Sequence, residues 1–185
     1  MLITENYRQQ NAQLHEQHAN YGVASVMHAP DVAAIINQLG IDNVLDYGAG
    51  KLGLIRTISE RRLVRHKFDY RPYEPANPQY ASEPEPADLV ACIDVLEHIE
   101  PECIEDVLDD LQRVTQFVGF FTIATKPAMK TLPDGRNAHL IVQPMEWWLP
   151  KIWTRFEIHS VQRREDGFAV VVKSLEAAHG NHDVQ

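Results

Sequence analysis

The chain has 185 residues, 44% hydrophobic and 23% charged, enough for one domain with a core of its own. A net charge of −9 argues against broad binding to a nucleic-acid backbone, which needs a basic face; a nucleotide or a strand end stays open. No apolar run reaches the length of a membrane span, "MLITENYRQQNAQ" lacks the layout of a secretion signal, and Cys92 and Cys103 sit in apolar runs that suit reduced thiols, so a cytoplasmic protein is expected.

Residues 1–29 are polar and predict a loose helical or loop extension with Tyr7, Leu14 and Tyr21 on its sticky side. Pro30-Asp31 reads as a helix start; Val32, Ile35, Ile36 and Leu39 recur at helical spacing and Gly40 ends the run. "NVLDY" is a short buried strand, followed by a glycine-rich turn and a helix carrying Leu54, Ile55 and Ile58. "KFDYRPYE" predicts a second strand, the Pro-rich residues 75–86 a loop, and the wholly apolar "ADLVACID" a central parallel strand. Pro101 opens a helix whose stripe is Ile104, Val107, Leu108, Leu111 and Val114; its acidic residues form a solvated face. "FVGFFTIAT" is another buried strand, 126–143 has no regular period, and "PMEWWLPKI" is a short helix entered through Pro144. "RFEIHSVQ", "RREDG" and "FAVVVKSL" make a hairpin. The expected division is an extension (1–29), one domain (30–175) and a flexible tail (176–185). The fold is α/β, with a mostly parallel sheet and a C-terminal antiparallel hairpin.

The segment "VLDYGAGKLGL" contains Gly48-x-Gly50-x-x-Gly53, and ligands of open α/β sheets bind where such turns lie, at the carboxyl ends of strands. Asp46, two residues before the first glycine, would repel a pyrophosphate, and Lys51-Leu52 does not supply the Lys-Ser/Thr of a phosphate loop. A cationic ligand without phosphate fits better. Glu74, closing the second strand, is placed to accept hydrogen bonds from ribose hydroxyls.

With "VLDYGAGKLGL", the acid of "YEP" and "ADLVACIDVLEHI", the sequence resembles the class I S-adenosylmethionine-dependent methyltransferases over residues 30–173. The resemblance implies a single-domain Rossmann-like fold. It also implies that Asp46, Gly48, Ala49 and Gly50 hold the methionine moiety, Glu74 the ribose, and Asp94, Val95 and Leu96 the flanks of the cofactor. The family's usual layout has a helix and a strand between the ribose acid and "DLV"; here only the Pro-rich loop is available. One helix–strand unit is therefore expected to be missing, with Pro75 and Ala76 as the candidate adenine contacts.

"DVLEH" places Asp94, Glu97 and His98 on one side of a turn. It resembles the acid-x-x-Glu-His pattern of metal-assisted O-methyltransferases, which act on vicinal hydroxyls. The resemblance implies a magnesium or manganese site of Asp94, Glu97 and His98, with His139 of "TLPDGRNAHL" as fourth ligand. Without a metal, His139 or His98 is the candidate general base. Asp134, Arg136 and Asn137 are candidate acceptor contacts, one of Trp147 and Trp148 is placed to stack on a flat ring, and Tyr21 and Gly22 to close over the cofactor. The same "EVLEH"-like loops also occur without metal, with Glu and His supporting the site. His15 and the remaining histidines read as surface or core.

The expected function is methyl transfer, most simply O-methylation, to a small-molecule or nucleotide acceptor, with oligomeric state open. The alternative is a non-catalytic S-adenosylmethionine-binding or partner-binding module of the same fold using Trp147, Trp148 and Trp153; a nicotinamide oxidoreductase ranks third.

Overall fold

The structure, a computed structural model, describes residues 1–18 and 22–179. Its elements are α1 (Glu5–Gln17), α2 (Ser25–Leu39), β1 (Asn43–Tyr47), α3 (Gly53–Glu60), β2 (Asp69–Tyr73), β3 (Ala87–Ile93), α4 (Ile104–Val114), β4 (Thr115–Ala124), α5 (Met145–Trp153), β5 (Phe156–Arg163), β6 (Gly167–Ser174) and α6 (Leu175–His179). The six strands form one sheet in the order β2-β1-β3-β4-β6-β5. The first four are mutually parallel, and β6 runs antiparallel to both of its neighbours.

Alternation along the central strands divides the core in two. Leu89, Ala91 and Ile93 of β3 face α2 and α3, where they pack with Val32, Ile36, Leu54 and Ile58. Val90 and Cys92 face the other side and pack with the apolar stripe of α4 and with Trp148 and Ile152 of α5. Helices cover both faces, as a parallel sheet requires. Among the described residues no helix is long and apolar enough to cross a membrane.

Between β2 and β3 there is no helix and no further strand. The connection, residues 74–86, returns from the carboxyl end of β2 to the start of β3 as a loop. Arg113 of α4 donates to the Pro84 carbonyl at 2.9 Å, and Arg71 of β2 donates to the Pro86 carbonyl at 2.9 Å. The missing helix–strand unit leaves β2 as a sheet edge, and Pro72 within it is a residue that edges tolerate.

Three expectations need correction. The helix assigned to begin at Pro30 begins at Ser25, with Pro30 inside it. The proline φ suits a helix and only the bond to the Val26 carbonyl is lost, so the run continues through it. Leu39 is 48% exposed, since Gly40 (φ +63°) turns the chain away at that point. Residues 176–179, assigned to the tail, belong to α6, whose first turn is held by Ser174 Oγ accepting the Ala177 N–H at 3.1 Å. Residues 180–185 lie outside the described residues, as does Tyr21.

The polar N-terminal segment is a capped helix. Thr4 Oγ1 accepts the Tyr7 N–H, and the Thr4 N–H and hydroxyl donate to the buried Glu100 carboxylate at 2.9 and 2.7 Å. Tyr7 and Leu14 are buried against Leu132 and Ala138. Leu14→Ala, at a side chain 1% exposed, is expected to lower the unfolding free energy in urea by about 2–5 kcal/mol.

Candidate active site

One cavity of about 560 Å³ opens at the carboxyl ends of the parallel strands. Its floor is the turn after β1. Gly48 has φ +81°, and a Cβ on it would lie 2.4 Å from Val95 Cγ2; the loops after β1 and β3 touch only because that atom is absent. Gly50 has φ +51°, and its missing Cβ leaves room for the Gly22 carbonyl, which accepts the Lys51 N–H at 3.3 Å. The Gly48 and Ala49 N–H groups donate to the Tyr73 carbonyl at 2.8 and 2.9 Å, which ties the turn to the end of β2.

Glu74 is 5% exposed and accepts the Gly50 N–H at 3.0 Å and the Ala76 N–H at 3.1 Å. Burial raises its pKa, partly offset by these two bonds. Gly48, Gly50, Glu74, Pro75, Asp94 and Val95 all face the cavity. Asp46, Ala49 and Leu96 do not line it. Strand alternation turns Asp46 to the α2–α3 side with Val44, where it is 1% exposed and accepts the Tyr70 hydroxyl. Burial and the nearby Glu74 charge push its pKa up to about 7 against that bond. Asp46, expected to hold the methionine moiety, thus lies outside the cavity lining, with its carboxylate on Tyr70 of β2.

Asp94 ends β3 in the left-handed region, φ +58°, which a side chain rarely adopts. Its N–H is held by the Thr122 carbonyl and hydroxyl at 3.2 and 3.0 Å. A single 3₁₀ turn, Leu96–His98, follows and separates the three residues of "DVLEH". Glu97 points into the core, 0% exposed, and Oε1 accepts the Ala124 N–H at 2.6 Å. Burial, the Asp94 charge and a hydrogen bond with the Asp94 side chain raise its pKa well above the carboxylate range. Glu97 is thus removed from the expected ligand set.

Asp94, His98 and His139 do come together, with one ligand atom of each within 4.8 Å of the others. The two rings stand at 90° with centroids 4.7 Å apart. His98 Nδ1 lies 2.8 Å from the Ala138 carbonyl and His139 Nδ1 lies 2.6 Å from the Lys126 carbonyl. A carbonyl only accepts, so both Nδ1 atoms carry the proton and the lone pairs reside on Nε2. Burial lowers the His98 pKa to about 4, which keeps that ring neutral near neutral pH. The Asn137 amide orients the segment. Its oxygen accepts the Ala128 and His139 N–H groups, both at 2.9 Å, and its NH₂ donates to the Ala128 carbonyl at 2.8 Å.

The other expected acceptor contacts are elsewhere. Asp134 and Arg136 pair with each other at 2.8 Å, away from the cavity wall. Trp148 is 0% exposed in the core, Trp147 lies beside it under Lys151, and neither lines the cavity, so the stacking role has no support. Gly22 does close against the glycine turn. The sequence reading missed that α1 roofs the cavity with Tyr7, Asn11 and His15. Tyr7 was legible as an apolar position, but nothing in the local pattern tells which surface a polar N-terminal helix covers.

No protein-family model matches the sequence, and no curated protein is similar to it. Solved structures share its fold. The 1,6-didemethyltoxoflavin-N1-methyltransferase of Burkholderia thailandensis, solved with 1,6-didemethyltoxoflavin and S-adenosylhomocysteine, superposes with a TM-score of 0.64 at 13% identity, covering 90% of this chain and 86% of that one. A SAM-dependent methyltransferase from Aquifex aeolicus gives 0.59 at 15%, covering 89% and 98%. An O-methyltransferase family protein from Burkholderia thailandensis gives 0.59 at 10%, covering 94% of this chain but 63% of that one. The chain therefore has the class I S-adenosylmethionine-dependent methyltransferase fold, reduced by the unit between β2 and β3.

Gly48→Ala is expected to weaken S-adenosylhomocysteine binding at least about ten-fold in calorimetry, because the new methyl must displace Val95. Gly40→Ala, also at positive φ but facing open space, should cost about 1 kcal/mol of stability and leave that affinity unchanged.

Asp46 sets a pH dependence of stability. Its folded pKa is raised, so its contribution is full below the ordinary carboxylate pKa of about 4 and is lost as pH rises through about 7. Asp46→Asn keeps an acceptor for Tyr70 and cannot ionise. Unfolding free energies measured from about pH 4 to about pH 8 should show the variant gaining on the parent by on the order of 4 kcal/mol.

Proposed function

We propose that the protein is an S-adenosylmethionine-dependent methyltransferase acting on an oxygen of a small-molecule or nucleotide acceptor. The observation that carries this is the placement of the Asp94–His98–His139 cluster and the Gly48–Gly50 turn on the wall of one cavity, in a class I fold. S-adenosylmethionine, when bound, supplies an electrophilic methyl group on a sulfonium.

The chain's residues have distinct tasks on this reading. Gly48 and Gly50 let backbone approach the cofactor, Glu74 takes the ribose hydroxyls, and Pro75 and Val95 flank it. Ala49 and Leu96 shape the turns from behind, and Asp46 ties the end of β1 to β2 by accepting the Tyr70 hydroxyl. α1 roofs the cavity and excludes water. Nε2 of His139 or His98 receives the proton of the attacking hydroxyl, with Nδ1–H on a backbone carbonyl holding each ring in place.

The same three residues also fit a divalent cation. A metal-ligating histidine ordinarily donates its other ring N–H to a carbonyl or carboxylate, and both rings here already do so. With Glu97 withdrawn, the donors are two imidazoles and one carboxylate. That set suits manganese or zinc and is poor for magnesium, which prefers oxygen. Such an ion would supply Lewis-acid activation of an acceptor hydroxyl.

The protein loaded with S-adenosylhomocysteine should bind manganese or zinc saturably in calorimetry. Asp94→Asn and His139→Ala should each weaken this at least about ten-fold, and His139→Ala should do so without changing S-adenosylhomocysteine affinity. Absence of saturable metal binding leaves His139 and His98 as the acid–base candidates. A protein that binds S-adenosylmethionine yet releases no S-adenosylhomocysteine with any catechol, diol or nucleotide acceptor would be the non-catalytic module.

A further inference from the structure

The acidic groups lining the cavity are Glu74, Asp94 and Asp166, and the lysines are Lys126 and Lys130. Lys126 is neutralised, with its ammonium 2.7 Å from Asp166. Lys130 is half-buried and has no ion pair among the described residues. Its backbone is fixed: the Lys130 carbonyl accepts the Ala138 N–H at 2.9 Å, next to the Thr131–Asn137 bridge that closes the hairpin. The Ala138 carbonyl in turn holds the ring of His98, and His139 is the following residue. One short hairpin therefore presents the unmatched ammonium and positions both imidazoles on the same cavity wall.

We propose that Lys130 determines acceptor specificity by taking an anionic group, a carboxylate or a phosphate, of a molecule whose reacting hydroxyl lies at Asp94, His98 and His139. An anion approaching a chain of net charge −9 is repelled at long range and needs a local cation to dwell in the cavity. Lys126 is the weaker candidate, because an anion there competes with Asp166 in an exposed ion pair. Lys130 meets the need as a mobile point charge on a long stem, which tolerates either anion. The inference rests on the methyltransferase reading and narrows its substrate class.

The test uses the whole chain loaded with S-adenosylhomocysteine and manganese. The probes are two pairs that differ by the anion: 3,4-dihydroxybenzoate against catechol, and adenosine 5′-monophosphate against adenosine. In calorimetry at least one anion should bind about ten-fold or more tightly than its uncharged partner. Lys130→Ala should abolish that preference, Lys130→Arg should retain most of it, and Lys126→Ala should leave it nearly intact. Which pair responds distinguishes carboxylate from phosphate. The proposal is overturned if charged and uncharged partners bind alike, if none of the four binds, or if Lys130→Ala weakens both members of a pair equally. S-adenosylhomocysteine affinity, measured in the same samples, reports separately on the cofactor reading and should be unchanged in all three variants.

Discussion

The approach of the Gly48 Cα to the Val95 side chain governs the carboxyl end of this sheet. It brings the loop after β1 against the loop after β3, and the cavity exists between them because they meet. Two further constraints follow from that contact. The Tyr73 carbonyl and the Glu74 carboxylate take up the N–H groups of residues 48–50, so β2 is drawn into the same wall. The chain beyond β3 must then leave the sheet at once, which it does through Asp94 at positive φ, Val95 and a 3₁₀ turn. An αL conformation at a non-glycine residue is strained, and the two Thr122 hydrogen bonds hold it.

Three buried carboxylates, Asp46, Glu74 and Glu97, lie around this end, each with its pKa raised first by burial. Their neighbours differ and so do their tasks. Asp46 has a tyrosine hydroxyl, Glu74 has two backbone N–H groups, and Glu97 has one N–H and the Asp94 side chain. Removing a buried acceptor's donors costs more than the bonds themselves contribute, so such groups specify one arrangement of the loops. They also leave the region poorer in positive charge than a binding site for an anionic cofactor would be. The lysines on the cavity wall, Lys126 and Lys130, lie away from these carboxylates, in the segment after β4.

What was legible in the sequence was what depends on local pattern. The stripe of α4, the alternation of β3, the glycine turn and the Pro-rich loop in place of a helix–strand unit each follow from spacing within about a dozen residues. The grouping of Asp94 with His98 and His139 was legible as well, because all three sit in segments that follow parallel strands. The fate of Glu97 was not. Its sequence spacing suits a ligand, but a 3₁₀ turn rotates successive residues farther than an α-helix does, and the Ala124 N–H at the end of β4 captured the side chain. Asp46 escaped for a similar reason: the strand's two-residue period sends it away from the cavity toward Tyr70.

The reduced fold sets how the acceptor end is built. With no unit beyond β2 and no inserted recognition domain, the sheet supplies only one wall, and the remaining surface has to come from short segments that cannot be stable alone. α1 and the 128–139 hairpin are each too small for a core, yet Tyr7 and Leu14 on one and Leu132 and Ala138 on the other bury against each other. Glu100 fastens the start of α1 through Thr4, and Asn137 fastens the hairpin through both edges of its amide. The histidine rings then hang from carbonyls of that hairpin and of Lys126, so the orientation of Nε2 in both depends on the roof staying docked. Docking of the roof and the orientation of both histidine rings therefore rest on the same hairpin.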